Sequence, residues 1–410
     1  MAMENTFTKK PELLSPAGDC ERLEMAVRYG ADAVYLGGKA FGMRSSAPGF
    51  SDIQLHRAVE YAHKNGVKVY LTCNIVPNNE EASRFPEFLR VAVSAGVDAL
   101  ILADIGLMEL AKKYAPHIPI HASTQVGIMN YQTANALYHL GASRVVLARE
   151  LSLEDIRFIR KNTPSDLELE CFVHGAVCVS FSGRCLLSQY MTGRDANRGN
   201  CAQPCRWEYS LYEKSSQTEF NIVQENEGTY ILNASDLCLI EHLQALAEAG
   251  VNSFKIEGRA KSFYYVAMIT NAYRMVMNQT FDEYSKQQIP KWVFQEVHNV
   301  SHRSYHTGFL FGRPSHGQNT QNGGYIRTYD VVAVVERSDE AFVYCSQRNK
   351  FCIGDALELV QPGIPPERLK IFKMYNEKHE LIQTANHAKM SFYFPCNRKF
   401  PQGSIIRRKV

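Results

Sequence analysis

Residues 29–38 read YGADAVYLGG, and the chain returns to that pattern at NGVKVYLTCN (65–74), AGVDALILAD (95–104), LGASRVVLAR (140–149) and AGVNSFKIEG (249–258). Each stretch holds a glycine, at Gly30, Gly66, Gly96, Gly141 and Gly250, followed by a short apolar run. Glycine tolerates the left-handed backbone that closes a helix. Apolar, β-branched runs of this length suit strands of a parallel sheet covered on both faces. The repeated unit is therefore a helix end joined to a parallel strand.

Three more runs read as strands of the same kind: ELLS (12–15), IPIHA (118–122) and LELECFV (167–173). The segments between them are amphipathic, such as DCERLEMAVRYG from Asp19 and DIQLHRAVEYAHKNG from Asp52. Both open on an aspartate suited to an N-cap. Eight strands with helices or loops between them, over roughly residues 10–280, predict an α/β fold, a (β/α)8 TIM-like barrel rather than an open sheet. No GxGxxG spacing supports a dinucleotide fold, since PAGDCE and YLGGKAFG read as strand-end turns.

The barrel domain is expected over 1–280, with a cysteine-rich insertion at 174–235 between strand seven and a helix at roughly 236–249. Residues 281–323 form a connecting segment, where PKWVFQEVHNVSHRSYHTGFLFG suggests a helix and a loop returning to the barrel. Residues 324–410 alternate in short runs separated by turn residues, which predicts a small C-terminal all-β barrel or sandwich.

A chain of 410 residues, 45% hydrophobic and 21% charged, fits a globular protein of two domains. No stretch of about 18 uninterrupted apolar residues predicts a membrane span, and MAMENTFTKKPELL lacks the pattern of a secretory signal. A cytoplasmic protein is expected. The net charge of +3 permits an anionic partner such as RNA without demanding one.

Five of the eleven cysteines fall within CFVHGAVCVSFSGRCLLSQYMTGRDANRGNCAQPC (171–205). In a reducing compartment such clusters hold metals or react more often than they form structural disulfides. Plain burial, structural zinc, a redox disulfide and an iron–sulfur cluster all compete as readings. Burial suits the scattered Cys20, Cys73, Cys345, Cys352 and Cys396. Zinc would ask for two close pairs, and only Cys201 and Cys205 are close; no Cys-x-x-Cys favours redox exchange. A 4Fe–4S cluster needs four thiolates from a strand end and a turn, which Cys171, Cys178, Cys201 and Cys205 can supply. It fits best.

Polar side chains follow the apolar runs at Asp104, Gln125, Arg149, Glu150, His174, Glu257 and Arg259, where a barrel places its pocket. His174 lies between two of the cysteines and is a candidate proton carrier. Glu257 and Arg259 either close the barrel as an ion pair or bind a small anion, a carboxylate or a phosphate. Arg44, Arg184, Arg194 and Arg206 are further anion-binding candidates, and Tyr190, Trp207 and Tyr209 could stack on an extruded base. The basic tail IIRRKV is expected to grip an RNA backbone. For a peptidase, HExxH and GxSxG are absent, which leaves Cys178 or Cys185 beside His174. A non-catalytic RNA-binding protein is the other alternative.

CFVHGAVCVSFSGRCLLSQYMTGRDANRGNCAQPCRWEY closely resembles the signature of the U32 peptidase family, as do ELLSPAGDCERLEMAVRYGADAVYLGG and FKIEGRAKSFYYV. The resemblance covers most of the chain. Within the family it points to a branch that hydroxylates the wobble uridine of tRNA at carbon 5, without O2 and dependent on prephenate. It implies the tRNA anticodon loop as partner, prephenate as co-substrate and a 4Fe–4S cluster as cofactor. The matching ligands would be Cys171, Cys178, Cys201 and Cys205, with Cys185 or Cys238 as replacements. Proteolysis is implied only weakly.

Overall fold

The computed structural model of the chain describes residues 10–43, 49–178, 180–181, 184–207, 211–215, 218–220, 235–281, 288–312 and 325–410. The expected strands all form: β1 (Glu12–Pro16), β2 (Ala33–Gly37), β3 (Lys68–Cys73), β4 (Ala99–Leu102), β5 (Ile120–Ala122), β6 (Ala142–Val146) and β7 (Glu168–Ala176). After a short hairpin, β8 (Leu211–Glu213) with β9 (Thr218–Phe220), come β10 (Asp236–Cys238) and β11 (Ser253–Ile256). Strand β11 pairs in parallel with β7 on one side and β1 on the other. The ring is closed, with eight parallel strands.

Helices α1 (Cys20–Arg28), α2 (Asp52–Lys64), α3 (Asn79–Ala95), α4 (Ile105–Tyr114), α5 (Tyr131–His139) and α6 (Leu153–Lys161) link successive strands. Each exposes one stripe and buries the other, as Leu55, Ala58, Val59 and Ala62 do in α2. Gly30, Gly66, Gly96, Gly141 and Gly250 all have positive φ, as the repeat requires. Asp19 caps α1 through the Arg22 amide. On α2 the cap is Ser51, not Asp52, because Ser51 and Gln54 form a reciprocal capping box.

One end of the barrel is plugged by charge. Arg144 reaches Glu12 at 2.7 Å, Glu168 at 2.6 Å and Glu170 at 3.0 Å, while Lys255 meets Glu170 at 2.7 Å. Buried ions are tolerable only when paired this fully.

The other end departs from expectation. Residues 236–238 form strand β10, antiparallel to the end of β7, and the helix α8 is confined to Leu243–Glu248. Beyond α7 (Leu187–Thr192) in the insertion and α9 (Phe263–Thr280), α10 (Lys291–Asn299) precedes β12 (Tyr305–His306), which pairs with β10. Strand β7 thus continues past the rim as part of a small flap.

The C-terminal unit comprises β13 (Tyr329–Ser338), β14 (Phe342–Gln347), β15 (Phe351–Cys352), β16 (Leu357–Val360), β17 (Glu367–Leu369), β18 (Met374–Asn376), β19 (Leu381–Ile382), β20 (Thr384–Ala385), β21 (Ser391–Pro395) and β22 (Ile405–Lys409). Eight of them form one antiparallel sheet in the order β17-β16-β22-β13-β14-β21-β18-β19. Its end strands do not pair among the described residues, so it is a half-barrel around a core of its own that includes Val343, Phe392, Phe394 and Ile406. Among the described residues no helix is long and apolar enough to cross a membrane.

Candidate functional site

A cavity of about 370 Å³ opens at the mouth of the barrel, where the strand ends and the cysteine-rich loop meet. Cys178, Cys185, Cys201 and Cys205 all line it. The segment carrying them is held by side-chain bonds: Arg198 pairs with Glu81, and Asn197 bonds both ways with the Cys185 backbone at 3.1 Å. The Ala202 amide donates to the buried Ser188 hydroxyl at 2.9 Å. Cys178 and Cys201 are exposed, and Cys185 and Cys205 are half-buried. Burial raises the Cys205 thiol pKa, and Cys178, Cys201 and Cys185 add to the rise. Each of those three thiols is therefore within electrostatic reach of Cys205.

Cys171 does not join them. In β7 Glu170 bonds to Arg144 and Lys255 inside the barrel, and Phe172 lines the cavity. Side chains alternate along a strand, so Cys171 points to the helix side. It is buried in the main core, where burial pushes its thiol up to about 12. Cys238 is also off the cavity, pushed up to about 11 by burial. The expected quartet is thus not brought together at the cavity: Cys178, Cys201 and Cys205 line it with Cys185, and Cys171 lies outside it.

Donors surround these sulfurs. The Leu187 amide points at Cys185 Sγ at 3.4 Å, the Gln203 amide at Cys201 Sγ at 3.3 Å, and Ser180 Oγ lies 2.8 Å from Cys178 Sγ. No three His, Cys, Asp or Glu among the described residues are grouped to hold one metal ion. Four thiols on one cavity are the donor type that an iron–sulfur cluster takes.

His174 is corrected as well. It is almost fully buried, does not line the cavity, and bonds to the hydroxyls of Tyr273 at 3.2 Å and Tyr305 at 3.3 Å. Burial pulls its pKa down to about 3, so the imidazole is neutral. Asp104 is an N-cap, accepting from the Leu107 amide at 3.0 Å, and lies off the cavity. Gln125 lines the cavity and its backbone oxygen accepts from Arg184 Nε at 2.7 Å. Arg184 and Arg194 are exposed and off the cavity; Arg194 bonds to Asn200 at 3.0 Å. Tyr190 and Trp207 are exposed, whereas Arg44 and Tyr209 lie outside the described residues. In the tail Arg407 is buried against Glu296 and Glu358 and Arg408 pairs with Asp355, while Lys409 and Val410 are exposed.

The remaining calls meet at the mouth. Arg149 stacks over Phe172 at 3.9 Å and faces Glu257 at 3.5 Å. Arg259 is buried, donates to the Thr72 hydroxyl, and packs so closely on Gly37 that a Cβ there would lie 2.8 Å from its guanidinium. Three cations at this site escaped the sequence reading. Lys255 follows Phe254 in a strand, and a lysine inside an apolar run was the signal to notice. Lys261 lies 4.2 Å over the Tyr325 ring, and Arg303 forms a buried pair with Asp236 at 2.6 Å. Their partners are distant in sequence, which leaves no local signal. Burial lowers the Lys261 pKa more than Asp236 raises it. Six cationic residues (Arg149, Arg206, Lys255, Arg259, Lys261 and Arg303) line the cavity with Glu150 and Glu257, and of these Lys255 is paired with Glu170 and Arg303 with Asp236 behind the wall.

Residues 18–320 match Peptidase family U32, and residues 327–407 match the Peptidase family U32 C-terminal domain. The chain belongs to peptidase family U32. It is 36% identical over 409 residues to tRNA hydroxylation protein P1 of Bacillus subtilis, covering 99% of this chain and 96% of that protein. A second member, the 23S rRNA 5-hydroxycytidine C2501 synthase of Escherichia coli, is 40% identical over 66% of this chain and 40% of its own length. A Porphyromonas gingivalis member named Collagenase is 34% identical over 74% of each chain. The U32 name therefore spans relatives named for RNA hydroxylation and for proteolysis.

Proposed function

We propose that this U32 protein is an RNA hydroxylase that converts the wobble uridine of tRNA to 5-hydroxyuridine, with prephenate as co-substrate and a 4Fe–4S cluster held by Cys178, Cys185, Cys201 and Cys205. The observation that carries this reading is that all four of those thiols line a single cation-lined cavity at the barrel mouth. Relatives named for tRNA and rRNA hydroxylation support the substrate class.

When bound, the cluster supplies one-electron transfer. The chain's own residues do the rest. Arg149 and Arg259 offer planar forks that suit a carboxylate of the co-substrate, and Lys261 and Arg303 add charge on the same wall. Arg206, bonded to the Tyr325 hydroxyl at 3.3 Å, marks the rim where an anticodon loop would enter with its target base extruded. Phe172 supplies an apolar wall beside the cations. The peptidase alternative loses its histidine, because His174 is buried away from the cavity and no histidine lines it among the described residues.

Iron content of the anaerobically purified protein and the nucleosides of tRNA from complemented deletion cells test the reading. Cys185→Ser is expected to lose iron–sulfur absorbance and 5-hydroxyuridine together, whereas Cys171→Ser keeps both. Full modification by a Cys185→Ser protein without iron would overturn the cluster assignment.

A further inference from the structure

The outer face of the C-terminal sheet carries one unbroken row of side chains across five strands. Arg337 of β13 is paired with Tyr344 of β14, Tyr344 with Tyr393 of β21, Tyr393 with Tyr375 of β18, and Tyr375 with Leu381 of β19. Consecutive tyrosine rings are 5.3 Å apart, with planes inclined by 30° and 19°. The Arg337 guanidinium covers one end of the pile, 3.3 Å from the Tyr344 ring centroid. At the other end Leu381 is 56% exposed. Phe342 packs edge-on against Tyr393 at 5.2 Å, and exposed His379 bonds to the Tyr393 hydroxyl at 2.6 Å.

The opposite face of the same strands, with Val343, Cys345, Phe392, Phe394 and Met374, forms the half-barrel's core. Cross-strand packing accounts for one or two aromatic pairs on a solvent face. It does not account for three half-exposed rings in near-parallel series with a cation at the end, where alternation calls for ordinary polar residues. Near-parallel rings in series offer what stacked bases offer one another, and a guanidinium on the pile meets both π-faces and phosphates.

We propose that this row is a stacking platform for the unpaired bases of an RNA loop, so that the half-barrel holds the same RNA whose base is modified at the barrel mouth. The inference rests on the RNA hydroxylase reading for its ligand, and it gives the half-barrel a part in holding RNA that the ion-paired Arg407 and Arg408 of the tail do not supply. Arg337 also pairs with Asp339 at 3.7 Å, but that exposed pair holds the guanidinium only weakly against a phosphate.

The test measures binding of a fluorescein-labelled tRNA anticodon stem–loop by anisotropy, over a range of salt. The double variant Tyr344→Leu/Tyr393→Leu keeps apolar bulk and loses the π-faces. It is expected to bind about tenfold more weakly, the loss of one base stack, with the slope against salt unchanged. The corresponding double Phe variant is expected to bind within about twofold of the unaltered protein. Should the double Leu variant melt early, Tyr375→Leu alone on the short β18 is read, and it is expected to bind several-fold more weakly. If a folded Leu variant binds as tightly as the unaltered protein while tRNA hydroxylation persists, the platform is refuted and the enzymatic reading stands. If the unaltered protein neither binds the loop nor modifies tRNA, the enzymatic reading falls and takes the platform with it. Loss of binding to denatured collagen but not to RNA identifies a protein partner and also overturns the proposal.

Discussion

His174 sits among Tyr265, Tyr273 and Tyr305, with ring centroids 5.2 to 5.9 Å away. Burial holds its pKa near 3, against an ordinary value of 6.5. Between those values the unfolded chain takes up a proton that the folded chain refuses. Stability from this site is therefore complete above about pH 6.5 and falls as the pH drops through that range. Its share of the loss between pH 7 and pH 5 is about 2 kcal/mol. His174→Gln is expected to lose about that much less than the unaltered protein over the same interval in urea titrations. Taking the difference removes the histidines common to both proteins, such as His298 and His306, whose pKa values burial also lowers. An equal loss in the two proteins would show that His174 is not held neutral.

Where β7 leaves the barrel, the chain passes through Gly175 at φ 107° and continues into the flap and the Cys178 loop. A Cβ at this point would lie 2.5 Å from the Glu257 carbonyl oxygen and 2.9 Å from the Tyr265 hydroxyl. Neither the backbone nor the fully buried Tyr265 can withdraw cheaply. Gly175→Ala is expected to cost about 2 to 4 kcal/mol in chemical denaturation, from strained backbone plus the clash. It should also displace Cys178, lowering iron content more than an equally destabilising change on the outer helices does. The glycines that end helices were legible in the sequence because each marks a local backbone need. The strand at Asp236–Cys238 was not, since three residues carry no usable period and its pairing with His174–Ala176 is supplied from far along the chain.

Barrel and half-barrel are joined through buried charge. Arg407 meets Glu296 of α10, Glu358 at 2.8 Å and the Tyr264 hydroxyl of α9 at 2.8 Å, while the Tyr29 hydroxyl donates to the Gly403 carbonyl at 3.1 Å. Removing Arg407 strands a buried carboxylate, so Arg407→Ala is expected to cost about 3 to 5 kcal/mol. Calorimetry should then resolve two transitions, because each unit keeps a core of its own. A single, unshifted transition would show that the junction is not held this way. By itself, the sequence determined the eight parallel strands, the separate all-β unit and the crowding of thiols beside strand seven, because periodicity, turn glycines and composition act over short stretches. Tertiary structure alone decided which thiols line the mouth. Cys171 is directed away from the mouth by the inward-facing neighbours Glu170 and Phe172, and Cys185 is brought in by a loop anchored to Ser188, Asn197 and Glu81. The mouth cations Lys261 and Arg303 and the tyrosine row follow the same rule. Their neighbours come from remote segments, and only the folded chain sets the distances between them.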